Sequence, residues 1–262
     1  MAEIEAAFEA ARAEGRAALM PYMMAGYPDQ STSLAVAAAY ADAGADLIEL
    51  GVPFSDPLAD GPVIHAAATA ALANGATLAS ALEVCESISA RLPVVLMIYA
   101  NMVLAHGAAE FARRASGAGA SGAIVPDLPL GEAEDIREAF AADLALVPLV
   151  APTTPAERRA RICAAAEGFV YVVSTVGTTG ERAELPAALA DLVAAARVES
   201  EVPVAVGFGI ATPEQAARVG EIADGVIVGS RLVRAVGEAA SPEDAAEAVT
   251  AFLSETRIAL AG

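Results

Sequence analysis

The 262-residue chain contains no lysine and no tryptophan, so all 15 of its positive charges are arginines. Without lysine there is no Schiff-base aldolase chemistry, because no side chain can form the imine. Cysteine is scarce as well. Cys85 and Cys163 have no CxxC neighbour, which excludes a disulfide framework or thiolate metal site and leaves two reduced thiols in helices. His65 and His106 are the only histidines, too few and too far apart for a histidine metal site or a Ser-His-Asp triad. Acid–base work must then fall to carboxylates or tyrosines.

Long apolar runs are missing too. LPVVLMIYANMVLAHGAA after Arg91 is broken by Pro93, Asn101, His106 and Gly107, whereas a spanning helix needs about 20 predominantly apolar residues. The first residues, MAEIEAAFEAARAEGR, mix acids and bases and lack the apolar core of a signal peptide, so a cytoplasmic protein is expected. The net charge of -19 excludes a nucleic-acid surface, which needs clustered cations. A small anionic ligand would have to be held by local backbone dipoles. Hydrophobic content is 56% with mean hydropathy +0.52, much of it alanine, as helix-rich packing requires.

What the chain does have is alternation. Eight short apolar runs, at 18–23, 46–50, 93–99, 122–126, 144–150, 169–173, 203–208 and 225–229, are separated by alanine-rich stretches of helical period. Continuous rather than alternating hydrophobicity suits parallel strands covered on both faces. Helices are expected at 33–44, 70–92, 108–119, 132–142, 155–166, 186–198 and 213–221, with Ser31, Thr154 and Thr212 as start signals and Gly44, Gly119 and Gly168 as stops. Such a series, preceded by one extra helix, predicts an α/β fold: a single (β/α)8 TIM barrel over 1–262. A doubly wound open sheet is the rival, but no GxGxxG follows the first strand.

In a barrel of this kind the chemistry sits at the C-terminal ends of the strands. Glu49 lies there, between Ile48 and Leu50, where a buried carboxylate costs roughly several kcal/mol unless it is paired, protonated or used. The loop behind it, SDPLADGP, holds Asp56 and Asp60; read alone, it is also an ordinary Asp-Pro turn. Around the rim, GTTG at 177–180, GFG at 207–209 and GS at 229–230 bring backbone N–H groups to the mouth, the last just before a short helical stretch, which suits a phosphate. Tyr22, Tyr99, Tyr171 and Phe208 fall at strand ends, as barrel packing or as the walls of a pocket for an aromatic group with a phosphorylated tail.

With these residues in view, the chain resembles the tryptophan synthase alpha subunit family. ELGVPFSDPLADGP (49–62) is similar to the family's signature almost letter for letter, and PYMMAGYP (21–28), MIYAN (97–101), VPDLP (125–129), STVGTTG (174–180), GFGI (207–210) and GVIVGS (225–230) follow in the family's order. The resemblance implies a lyase that cleaves indole-3-glycerol phosphate to indole and glyceraldehyde 3-phosphate by a retro-aldol step without a cofactor of its own. It implies Glu49 as general acid and base, and Asp60 as acceptor of the indole N–H, ionised while Glu49 is not. It puts Tyr171 near the reacting centre and Tyr22, Tyr99 and Phe208 beside the indole. Thr179 and Gly180 fall in the family's closing lid, with Thr179 bonding Asp60 on closure; Gly180, Gly209, Gly229 and Ser230 hold the phosphate. A pyridoxal-phosphate beta subunit in an αββα assembly is the implied partner, with Pro53 and Asp56 near the interface. Thr175, followed by Val176, stands where many relatives carry an arginine in the lid, and Pro126 where some have a smaller residue facing the pocket; neither departure touches Glu49 or Asp60. Another phosphate-binding barrel isomerase, or a subunit that chiefly activates its partner, are the alternatives.

Overall fold

The computed structural model describes residues 2–129, 131–132, 134–141, 143–174, 188–207 and 209–262. In chain order the elements are α1 (Ala2–Ala13), β1 (Ala18–Met24), α2 (Gln30–Asp42), β2 (Ile48–Gly51), α3 (Pro62–Ala73), α4 (Leu78–Ser89), β3 (Val94–Met97), α5 (Ala100–His106), α6 (Ala108–Gly117) and β4 (Ala120–Ile124). Then come α7 (Glu134–Phe140), β5 (Ala145–Val147), β6 (Leu149–Val150), α8 (Ala156–Ala164), β7 (Val170–Val173), α9 (Leu189–Glu199), β8 (Val204–Gly207), α10 (Pro213–Gly220), β9 (Gly225–Val228), α11 (Ser230–Glu238) and α12 (Pro242–Leu260).

Every strand pairing is parallel, in the order β5-β4-β3-β2-β1-β9-β8-β7-β6. The two ends of that series are separated only by Pro148. The single strand expected at 144–150 is thus split: proline has no N–H for the ladder, so its first half pairs with β4 and its second with β7. The Pro148 carbonyl still accepts the Tyr171 N–H at 3.0 Å. The sheet therefore closes into a TIM barrel of eight strand positions, as expected.

Two buried layers hold it. Outside, side chains such as Val36, Tyr40, Leu96, Val206 and Leu253 pack strands against helices. Inside, Met20, Leu47, Val95, Ile124, Val147 and Ile227 fill the barrel, and α1 closes its lower end with Ile4 and Phe8. Phe8 meets Phe169 at 5.7 Å between ring centroids, and burying such a ring is worth roughly 1.5–3 kcal/mol. With the bottom closed by α1, the cavity that the strand ends surround lies at the other mouth.

Helix boundaries differ from expectation where caps decide them. The stretch 70–92 is two helices, because Gly75 at φ +86° ends one and the Thr77–Ser80 capping box starts the next. Asp29, not Ser31, caps α2 by accepting the Thr32 N–H at 2.8 Å. Thr212 caps α10 as expected, whereas Thr154 accepts from Ala151 N–H and Pro155 occupies the cap of α8. Gly44 and Gly119 follow their helices at positive φ; Gly168, also at positive φ, instead leads into β7. No described helix is long and apolar enough to cross a membrane.

Candidate active site

At the C-terminal mouth, β1 and β2 run in register with Tyr22 opposite Glu49. Glu49 is 2% exposed, and among the described residues its Oε2 has no hydrogen-bond partner. Loss of solvent pushes its carboxyl up to about 8; the nearby Asp60 charge adds to this, and a hydrogen bond from Tyr171 opposes it. Glu49 is therefore mostly protonated at neutral pH, and one carboxyl oxygen faces the cavity uncommitted.

That cavity is lined by Glu49, Asp60, Tyr22 and Tyr171, by the apolar side chains Ile64, Met97, Leu149, Ile210 and Ile227, and by Gly209, Gly229 and Ser230. The two tyrosines lie where they do because of two glycines. A Cβ on Gly51 would collide with the Tyr22 ring, and one on Gly207 with the Tyr171 ring. Neither glycine has positive φ, so the requirement is space for a ring across the neighbouring strand.

Asp60 sits on the loop between β2 and α3, partly buried. Burial raises its carboxyl above the ordinary range; a hydrogen bond from Tyr99 and the proximity of His65 act against that. The Tyr99 hydroxyl donates to Asp60 Oδ1 at 3.0 Å and accepts the Ala59 N–H at 3.1 Å. Its ring stacks on Phe54, 5.1 Å between centroids. Tyr99 thus reaches the cavity through Asp60 instead of lining it. In the same loop Asp56 is exposed and bonded to Ser55, while Pro53 is buried.

At the end of β9, the other neighbour of β1, Gly229 is the N-cap of α11 and Ser230 its first residue, 9% exposed. Gly209, at φ +92°, also faces the cavity. A helix N-terminus and a glycine turn together favour an anion. Thr179, Gly180 and Phe208, with Thr175 and Val176, lie outside the described residues.

The structure therefore brings Glu49, Asp60, Tyr22, Tyr171, Gly209, Gly229 and Ser230 around one cavity. Sequence reasoning did not single out its apolar walls. Leu149 could have been found from its place beside Pro148 at a strand end, and Ile64 from the start of the helix after the loop. Among the described residues no group of three or more His, Cys, Asp or Glu is arranged to hold a metal.

Comparison with known proteins points one way. A family model described as "Tryptophan synthase alpha chain" matches residues 8–260. The alpha chain of Prochlorococcus marinus is 48% identical over 260 residues, covering 98% of this chain and 94% of that one. For Chloroflexus aurantiacus the figures are 44% over 265 residues, 100% and 99%. A solved tryptophan synthase of Mycobacterium tuberculosis superposes with TM-score 0.91 at 39% identity, covering 98% and 97%. An alpha chain from Legionella pneumophila gives 0.88 at 35%, covering 98% and 97%.

Proposed function

Because this chain belongs to the tryptophan synthase alpha chain family, we propose that Glu49 and Asp60 carry out the reaction of that family in the cavity at the barrel mouth. The chain is a carbon–carbon lyase of tryptophan biosynthesis, cleaving indole-3-glycerol phosphate to indole and glyceraldehyde 3-phosphate. We read its 262 residues as one barrel domain and its compartment as the cytoplasm.

The bond to be broken joins indole C3 to the glycerol phosphate tail. Protonation at C3 turns the ring into a cation that can accept the electrons of the bond to the tail. Removal of the tail hydroxyl proton then forms the aldehyde C=O as that bond breaks, and its electron pair returns to the ring to release neutral indole. Glu49 starts protonated, delivers its proton to C3 and, as carboxylate, takes up the hydroxyl proton. Tyr171, donating to Glu49, steadies the carboxylate form between the two transfers. Asp60 accepts the indole N–H and offsets the positive charge on the ring, which requires it ionised while Glu49 is not. Their surroundings differ in that sense: Glu49 is enclosed, whereas Asp60 keeps partial exposure, a Tyr99 hydrogen bond and His65 nearby.

The phosphate rests on backbone N–H groups of Gly209, Gly229 and the start of α11, with the Ser230 hydroxyl. Tyr22 and the apolar walls flank the indole. Thr179, Gly180 and Phe208 are assigned from the motif alone, Thr179 and Gly180 to the lid and Phe208 to the ring. The chemistry calls for no cofactor in this chain. Indole passes to a pyridoxal-phosphate beta subunit in an αββα assembly, with the exposed Asp56 at the interface and Pro53 shaping the loop behind it.

The observation that carries this reading is the enclosed Glu49 carboxyl, its Oε2 without a partner among the described residues, in the same cavity as Asp60 and Ser230. Indole release by the purified chain tests it. Glu49→Gln should lower turnover by roughly 10²- to 10⁴-fold or more with the fold intact. Near-native turnover in that variant overturns the assignment.

A further inference from the structure

Asp127 does not line the cavity, and none of the roles above uses it. It follows β4 in a turn, and its Oδ1 accepts the Ala100 backbone N–H at 2.8 Å. That N–H belongs to the first residue of α5, whose N-cap residue, Tyr99, makes no side-chain cap. Tyrosine is a poor cap because its oxygen stands too far from the first-turn N–H groups; Ser, Thr, Asp and Asn are preferred there. Here the ring is turned to another use. Its hydroxyl holds Asp60 and Ala59, and its face packs on Phe54.

Three residues of the loop after β2 therefore rest on one side chain. That side chain stands at the start of a seven-residue helix, too short to be stable by itself. The tie from Asp127 fastens this helix start to the end of the adjacent strand, where Ile98 N–H already bonds the Ile124 carbonyl at 3.0 Å. We infer that Asp127 is a positioning residue for the reaction: by bonding the first N–H of α5 it fixes Tyr99, and through Tyr99 it fixes the carboxylate of Asp60. The inference rests on the role given to Asp60 above.

Two variants break the tie from opposite sides. Asp127→Ala removes the acceptor. Ala100→Pro removes the donor, at a first helical position where proline is favoured and after a residue already extended at ψ 145°. In indole-release assays on the isolated full chain, each should lower kcat by about tenfold with KM within about twofold, since a small misplacement of a reacting group slows the chemical step. The phosphate contacts at Gly209, Gly229 and Ser230 belong to other loops and are untouched, which is why KM should hold. Asp127→Asn, which keeps an oxygen acceptor, should recover most of the loss. Tyr99→Phe should lower kcat in the same way, and adding Asp127→Ala or Ala100→Pro to it should cost little more.

Effects that multiply, a loss carried by KM, or an Asp127→Asn variant as slow as a tie-breaking one would overturn the inference. Should Asp127→Ala not fold, Ala100→Pro with Tyr99→Phe completes the comparison. Asp60→Asn separates the two readings. If it retains native turnover, the assignment of Asp60 fails; if it is inactive while the Asp127 and Tyr99 effects multiply, only the positioning role fails.

Discussion

Replacing Glu49 by glutamine should stabilise the folded chain at alkaline pH while stopping its chemistry. Burial holds the native carboxyl at about 8 against an ordinary 4.5. Below pH 4.5 the group is protonated in both folded and unfolded chains, and pH has no effect through it. Between 4.5 and about 8 the unfolded chain ionises it and the folded chain does not, so the folded state loses stability as pH rises. Above about 8 both forms are ionised and the loss levels off. At about 1.36 kcal/mol per pH unit of displacement, the full penalty is roughly 5 kcal/mol. Glutamine has nearly the shape of the protonated acid and never ionises.

Urea unfolding followed by far-UV circular dichroism measures the difference between the two proteins. Asp60 and the other groups titrate in both and largely cancel. The two stabilities should be close near pH 5. The variant's advantage should then widen by roughly 1.4 kcal/mol for each pH unit between 5.5 and 7.5, reaching roughly 3 to 4 kcal/mol at pH 8. A difference that stays within about 0.5 kcal/mol across that range would refute the claim that Glu49 is enclosed and protonated in the folded state.

The same carboxyl predicts that kcat/KM falls as pH rises through about 8, because only the protonated form can start the reaction; a profile flat from pH 7 to 9.5 contradicts that order of proton transfers. Gly207→Ala sets a methyl group against the Tyr171 ring, and should both destabilise the fold by about 1–3 kcal/mol and lower kcat by moving the Tyr171 hydroxyl from Glu49. An active variant with native urea stability would show that the ring has room to move.

Barrel class, the strand sites and the two carboxylates were legible because each left a local signal: continuous apolar runs, a charged residue inside one of them, and glycines at the ends of others. What was not legible depended on neighbours distant in sequence. Nothing in PVVLMIY says that the strand stops at Met97, because Tyr99 becomes a helix start only when Asp127 arrives from the next strand to bond Ala100. The C-terminal helix α12 was not among the expected helices. Its alanine-rich sequence has a weak apolar stripe, and its place was set by packing against α2, α10 and α11. Nothing in the sequence tells that Gly51 and Gly207, both in strands, leave room for the tyrosine rings on the neighbouring strands.

Those glycines also explain how the barrel tolerates a carboxyl in its wall. Among the described residues, the interior below the mouth is filled by apolar side chains, from Ile4 and Phe8 upward to Val95 and Ile227. At the mouth, the Tyr22 and Tyr171 rings lie across Gly51 and Gly207, so two tyrosines join the aliphatic side chains in enclosing Glu49. An aliphatic wall would desolvate the acid equally well but could not stabilise the carboxylate when the proton leaves. The Tyr171 hydroxyl does so, and it lowers the Glu49 pKa while burial raises it. The opposition matters because an acid that gives up a proton and takes up another within one reaction needs both its forms to be accessible. Tyr171→Phe should accordingly push the Glu49 titration higher and slow turnover without emptying the site of its acid. If the alkaline limb of kcat/KM stays in place in that variant, the hydroxyl is holding the ring's position and not the charge.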